Sequence, residues 1–433
     1  MDDTHAANGL PLRQAGAMIG IPESLWERCT MALPPTYYDF ILKNRPYVVE
    51  LAARDAQFLQ TQEPTPVAIA SVDDYNSRFP ECFEKVDQGI LGQASRASGI
   101  SLDEIRPHLP QVLPELRAQF ASLYATVNHE YHCMVNFELA NKKCFHFSDN
   151  LSTHLSNTEI NLKARLVELP FPTCLFVFTS ATVINAMHNI RGAEGRREMN
   201  TGDLDYAAPV SAFLTLLPAG GKLLGRKLVI VAWHAKPPAK SYLMLKRELY
   251  LGDGWSLEQS LRTDWEKLTP DDLGCGINIE GGGDIIEPMG DETFYTDGLA
   301  FYRIMLNAAL YLASDQAELT TCTSPRAQIE IDARQFASVP KKKRMLKQAA
   351  EHSCLDYAEV GASLGPIVIE PGTAASNSSE SAGSKPQVRF MVRGHWRHQP
   401  HGPGASQRRL IWIRPHYKGP DIADLINKPY LVK

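Results

Sequence analysis

Residues 227–251 read KLVIVAWHAKPPAKSYLMLKRELYL. Two runs rich in β-branched and aromatic residues, Lys227–Ala235 and Ser241–Leu251, flank a Pro237-Pro238 turn. That is the pattern of two strands joined by a short connection. Just upstream, Asn161–Ser180 (NLKARLVELPFPTCLFVFTS) contains the unbroken apolar run Cys174–Phe178, the mark of a strand buried on both faces. Strands that follow one another through short connections pair antiparallel. The middle of the chain is therefore expected to be a mainly antiparallel sheet, and the fold class α+β.

Helical patterns lie on either side. Tyr37–Gln60 reads as helix with a break at Pro46, and a second helical stretch opens near Ser71–Asp73 and runs through FEKVDQGILGQASRAS. A third, from Pro114 to about Glu130, places Leu116, Phe120, Leu123, Tyr124 and Val127 on one face. These define a helical N-terminal region, 1–150. Beyond the strands, Trp255–Leu268 reads as a helix capped by Ser256. Asp297–Ser314 is apolar almost all round, so it packs against the sheet. Pro340–Val360 reads as another helix and Gly365–Glu370 as a short strand, closing an α+β core over 151–370. Residues 187–208 and the Gly-rich acidic stretch 274–292 read as loops. The segment 371–386, PGTAASNSSESAGSKP, has little to bury and reads as a flexible linker. It leads into a small C-terminal β module, 387–433.

A hydrophobic content of 44% with 21% charged residues belongs to a folded globular chain, which excludes a disordered one. The start, MDDTHAANGLPLRQ, lacks the basic and apolar regions of a secretory signal. The apolar runs 171–187 and 298–313 are too short, or interrupted by Arg303, to span a bilayer. Eight cysteines contain no CxxC pair, which argues against a zinc ribbon or a disulfide framework. The expected location is the cytoplasm, with no membrane partner and no cofactor.

Charge is unevenly spread. Gln387–Gly419 holds Arg389, Arg393, Arg397, Arg408, Arg409, Arg414 and Lys418 and no acidic residue, while the whole chain is −5, so the remainder carries −12. An acidic body with one basic module is the footprint of a nucleic-acid contact. Two strands, Val388–Arg393 and Arg409–Arg414, are expected to flank a Gly/Pro loop. Arginine forks would grip phosphate, and the ring of Trp396 or Tyr417, if exposed, would stack a base. The competing reading pairs these arginines with the acidic body in cis. His395, His398 and His401 fall in the loop. His395 and His398 are the candidate catalytic groups of a metal-independent RNA cleavage, against which stands a role in backbone hydrogen bonding or RNA holding.

Other clusters are weaker. His129, Glu130, His132, Cys133, Cys144 and His146 are metal-competent residues, but their spacing matches neither HExxH nor a finger, and core or surface placement is the plainer reading. Glu280, Asp284, Glu287 and Asp291 crowd a glycine-rich loop with no GK[ST] after it, so it is no P-loop. The run Lys341-Lys342-Lys343-Arg344 sits at a helix start, where cations oppose the macrodipole. A solvated helix end is the plainer reading there, with an external anion as the other.

Arg393-Gly394-His395-Trp396, then Gly402-x-Gly404, then a basic strand closing at Pro415, resembles the C-terminal block of a phage-encoded type V-A anti-CRISPR family that suppresses production of the CRISPR effector nuclease. Glu168–Ser180, with Leu169, Pro170 and Cys174, resembles that family's central strand. The resemblance implies recognition of the effector's nascent N-terminal peptide on the ribosome, followed by loss of its messenger RNA. The partners it implies are that peptide, RNA and the ribosome. The sequence thus reads as an adaptor. The other readings are a metal-independent endoribonuclease and a DNA-binding phage or plasmid maintenance protein.

Overall fold

The computed structural model describes residues 33–61, 80–190, 207–218, 225–236, 241–266, 276–277, 292–367 and 390–418. Its centre is an eight-stranded sheet. The strands are β1 (Cys144–Phe147), β2 (Thr173–Phe178), β3 (Val210–Pro218), β4 (Gly225–Lys236), β5 (Ser241–Gly252), β6 (Gly276–Ile277), β7 (Leu319–Cys322) and β8 (Tyr357–Val360). Their order is β6-β5-β4-β3-β2-β1-β8-β7. β1 runs parallel to both β2 and β8, and the other neighbours are antiparallel. The fold is α+β with a mainly antiparallel sheet.

Strand alternation sends the two faces of the sheet into two separate cores. On one face Leu175, Val177, Phe213, Val231 and Trp233 meet the N-terminal helices. These helices are α1 (Tyr37–Asn44), α2 (Pro46–Gln60), α3 (Pro80–Ser98), α4 (Leu109–Gln119) and α5 (Ala121–Leu139). Helix α5 supplies Val127, Tyr131, Met134 and Phe137, all buried. On the other face Phe176, Phe178, Ala212, Leu214 and Ile230 meet α6 (Asp149–Ser156), α7 (Ala181–Asn189), α8 (Leu257–Glu266) and α9 (Glu292–Ala313). The apolar surround read for 297–314 is realised in α9, where Phe301, Ile304, Met305, Leu306 and Leu310 are fully buried. A small third core joins α10 (Arg326–Arg334) to α11 (Val339–Ala349), between β7 and β8.

Several boundaries differ from the sequence reading. The helix expected over 114–130 is two helices, because Phe120 leaves helical geometry between α4 and α5 (φ −107°, ψ 25°). The helix expected over 340–360 stops at Ala349, and Tyr357–Val360 is instead strand β8, parallel to β1. Tyr357 and Glu359 point into one core and Val360 into the other, a strand alternation too short to announce itself. Residues 365–367 form no strand. Ser71–Asp73, the Pro237-Pro238 turn, residues 191–206, most of 274–292 and the linker 371–386 lie outside the described residues. Ser256 caps α8 as expected, accepting from the Gln259 backbone N–H at 3.1 Å while Gln259 accepts from the Ser256 N–H at 2.8 Å. No helix among the described residues is long and apolar enough to cross a membrane.

Candidate nucleic-acid interface

The C-terminal module forms two antiparallel pairs. β10 (His395–His401) pairs with β11 (Gln407–Ile413), and β9 (Phe390–Val392) pairs with β12 (His416–Lys418). The first strand read from the sequence, Val388–Arg393, is present as β9, but it pairs with β12 and not with the second expected strand. Residues 395–401, expected as loop, are strand despite Pro400, which sits one position from the end of β10. The turn between β10 and β11 uses Gly402 (φ +76°) and Gly404 (φ +62°), a backbone that side chains with a Cβ avoid.

This hairpin is seated in the body. Trp396 is 8% exposed and Trp412 3%, and the two rings stack across the ladder as one register pair. Each indole N–H finds a neutral partner. Trp396 Nε1 donates to Asn307 Oδ1 at 2.8 Å, and Trp412 Nε1 donates to Thr158 Oγ1 at 3.1 Å. Asn307, on α9, uses its amide N–H groups for the Leu155 and Thr158 carbonyls at 3.0 and 2.9 Å. Along the outer edge of β11, the Gln316 amide accepts from the Trp412 backbone N–H at 2.5 Å and donates to its carbonyl at 3.4 Å. Gly394 lies where the chain enters. Its N–H donates to Asn157 O and its carbonyl accepts from Glu159 N–H, at 2.9 and 2.8 Å. A Cβ there would lie 2.5 Å from Thr158 Oγ1 and 2.8 Å from Pro415 Cδ. The RGHW and GxG signatures are therefore docking and turn chemistry. Trp396 does not meet the condition set for base stacking, because its ring is inside the core.

The cations divide into two sets. Arg393 faces Glu159 at 3.9 Å, and Arg409 pairs with Asp315 at 2.7 Å, so the cis pairing weighed from the sequence is real for these two. Arg397, Arg408, Arg414 and Lys418 are exposed and make no ion pair with a described residue. Arg397 donates to Gln399 along its own strand, and the Arg414 guanidinium lies 5.9 Å from the centre of the Trp412 ring. Tyr417 is half-buried on β12, and Arg389 lies outside the described residues. His395 and His398 are both exposed, but three positions apart on a strand they point to opposite faces. The structure does not bring them together as an acid and base.

The second cluster disperses as well. Glu130 is fully buried and taken by Arg45 and by Tyr37, whose hydroxyl donates at 2.6 Å. His129 and His132 turn Nδ1 to carbonyls one helical turn back, Ala125 O at 2.5 Å and Asn128 O at 2.8 Å. Burial pushes the Cys133 and Cys144 thiols up and the His146 imidazole down to about 4. Among the described residues no three His, Cys, Asp or Glu side chains converge as a metal site. Asn307, Thr158 and Gln316, which hold the module, were missed by sequence reasoning. The one available signal was Asn307, a lone amide inside the otherwise apolar run 304–313 of α9.

No curated protein and no solved structure matches the chain. A family model does, over residues 145–417, which opens on β1 and closes on β12. The matched part contains the whole sheet, the helices on the α9 face and the docked module, and leaves out the N-terminal helical layer. With well over half of its length covered, the chain belongs to the Anti-CRISPR type V subtype A2 (AcrVA2-like) family.

Proposed function

We propose that the chain is an anti-CRISPR adaptor that lowers production of a type V effector nuclease: its acidic body recognises the nascent N-terminal peptide of that nuclease, and its basic C-terminal module holds RNA, leading to loss of the messenger. The observation that carries the RNA contact is a surplus of charge. Once docking has used both tryptophans, Gly394 and Gln316, and once Arg393 and Arg409 have acidic neighbours, Arg397, Arg408, Arg414 and Lys418 still project as exposed cations without a described acid. Held on a rigid hairpin, they suit the phosphate backbone of RNA. Family membership supports the target being a CRISPR effector.

The test compares the full chain with Arg397→Glu/Arg408→Glu/Arg414→Glu, reading affinity for an effector transcript against salt concentration. The expected outcome is at least a tenfold loss and a shallower salt dependence, by about 2 in the slope for three phosphate contacts. Unchanged binding by a folded variant would refute the RNA role of the module. The same pair of proteins, expressed beside the effector gene, is expected to differ in the transcript level that survives.

A further inference from the structure

A second strongly basic surface lies on α11, outside the module. Its sequence, VPKKKRMLKQA, carries Lys341, Lys342, Lys343, Arg344 and Lys347 and no acid. All five are exposed, and none makes an ion pair with a described residue. Met345 and Ala349 turn inward onto Ile329 and Ala333 of α10, and Lys341 lies over the Phe336 ring at 3.8 Å. Helical spacing from that inner face puts Lys343 and Lys347 at the outermost position, with Arg344 on one flank and Val339 and Leu346 on the other.

This arrangement is unfavourable when left alone. Lys343 and Lys347 are like charges one turn apart, and the first four cations crowd the end of the helix where its dipole is positive. Among the described residues only Lys341 of these cations has a ring contact, with Phe336, and Met345 and Ala349 supply the buried contact. An external polyanion relieves both costs at once. A lipid surface fits poorly, because the apolar face of the helix is spent on α10, leaving Val339 and Leu346 as isolated exposed side chains. A shaped acid-binding pocket is also absent, for the cations line a convex helix. That geometry suits a chain of evenly spaced phosphates.

Place matters too. The α10–α11 pair joins the end of β7 to the start of β8, whereas the module clasps Asp315 and Gln316, just before β7 begins. β7 is the edge strand and has four residues, about 13 Å of chain. The two basic surfaces therefore sit toward opposite ends of the same sheet edge.

We infer that α11 is a second RNA-binding surface, taking the backbone of single-stranded RNA through Lys343, Arg344 and Lys347, so that one strand held at the module continues along the β7 edge to this helix. The inference rests on the reading that the chain handles RNA, and its failure is separable from failure of the module. The full chain, Lys343→Glu/Arg344→Glu/Lys347→Glu, the module variant above and the combination are each titrated with single-stranded RNA of mixed sequence at several salt concentrations. Circular dichroism checks the fold, which surface substitutions leave intact. The expected result is a loss of about tenfold or more for the α11 variant, a salt slope lower by about 2, and a further loss in the combination. A folded α11 variant that binds like the unaltered chain overturns the inference and leaves the module reading standing. Loss in the α11 variant with none in the module variant keeps α11 as an RNA surface and overturns both the module and the continuous track between them. Binding of the unaltered chain to phosphatidylserine vesicles, lost in the α11 variant while RNA binding is retained, also overturns it.

Discussion

The N-terminal helical layer packs on one face of the sheet and the C-terminal hairpin on the α6 and α9 helices that cover the other, and they are fastened by different chemistry. The helical layer is stapled by carboxylates, each receiving a tyrosine hydroxyl and an arginine. Glu130 takes Tyr37 and Arg45, Asp87 takes Tyr124 and Arg117, and Asp55 takes Tyr131 and Arg54. The buried seat of the hairpin is made by neutral groups, two indole N–H donors, the amides of Asn307 and Gln316, and the Thr158 hydroxyl, with the Arg409–Asp315 pair at its rim. A neutral dock leaves every cation of the hairpin either exposed or paired at the rim. The helical layer uses these three arginine–carboxylate pairs for its own fastening. The buried fastening of the hairpin thus consumes none of its cations.

The comparison is most severely tested at Glu130. Glu130→Gln keeps the shape but leaves the Arg45 guanidinium buried without its counter-charge, and a loss of about 3–5 kcal/mol is expected in denaturant unfolding. A loss below about 1 kcal/mol would show that the buried pair is not what fastens this layer. Next comes His146, which lies on the same face as Cys144, with neither ring nitrogen hydrogen-bonded. Burial holds its folded pKa at about 4, below the ordinary value of 6.5, so the unfolded chain takes up the proton first as pH falls. Stability is complete above about pH 6.5 and declines toward pH 4, by at most about 3 kcal/mol from this group. His146→Leu is expected to flatten that part of the pH profile, and an unchanged profile would assign the decline elsewhere. The smallest effect is on the hairpin side. Gly394→Ala places a Cβ against Thr158 and Pro415 and is expected to cost about 1–3 kcal/mol, with the change in tryptophan fluorescence preceding global unfolding. A variant that unfolds in one step at the original midpoint would mean that the hairpin seat tolerates the methyl group.

Three central strands, β2, β4 and β5, were legible because their apolar runs are long and continuous. Cys174–Phe178 in the sequence became Thr173–Phe178 in the sheet, and the 227–251 reading gave β4 and β5 nearly whole. The α9 helix was legible from its apolar surround. Five strands of the sheet, β1, β3, β6, β7 and β8, were not read from the sequence, and two of them were hidden for a physical reason. β1 and β8 have four residues each and pair with one another across about 200 positions, a signal no local window contains. In the module, local residue types misled. Histidines, prolines and glycines from 395 to 404 have the composition of a loop, and a tryptophan among arginines suggests a stacking platform. Only Thr158 and Asn307, far along the chain, turn that tryptophan into a buried anchor. The basic character of the module, by contrast, was plain from composition, since side-chain charge is carried by each residue alone.

The two tryptophans also set an order in time. The core between the sheet and α9 is completed by Trp396 and Trp412, residues of the last tenth of the chain. During synthesis the sheet strands and α9 emerge first, with the seat at Thr158 and Asn307 vacant and its apolar walls uncovered. Trp396 and Trp412, which follow them from the ribosome, close it. A chain truncated before position 396 therefore presents an open core instead of a smaller finished protein, and such a species is prone to aggregate. The segment that bears the cations is also the one that ends the folding of the body, so the exposed basic hairpin and a sealed core arise together.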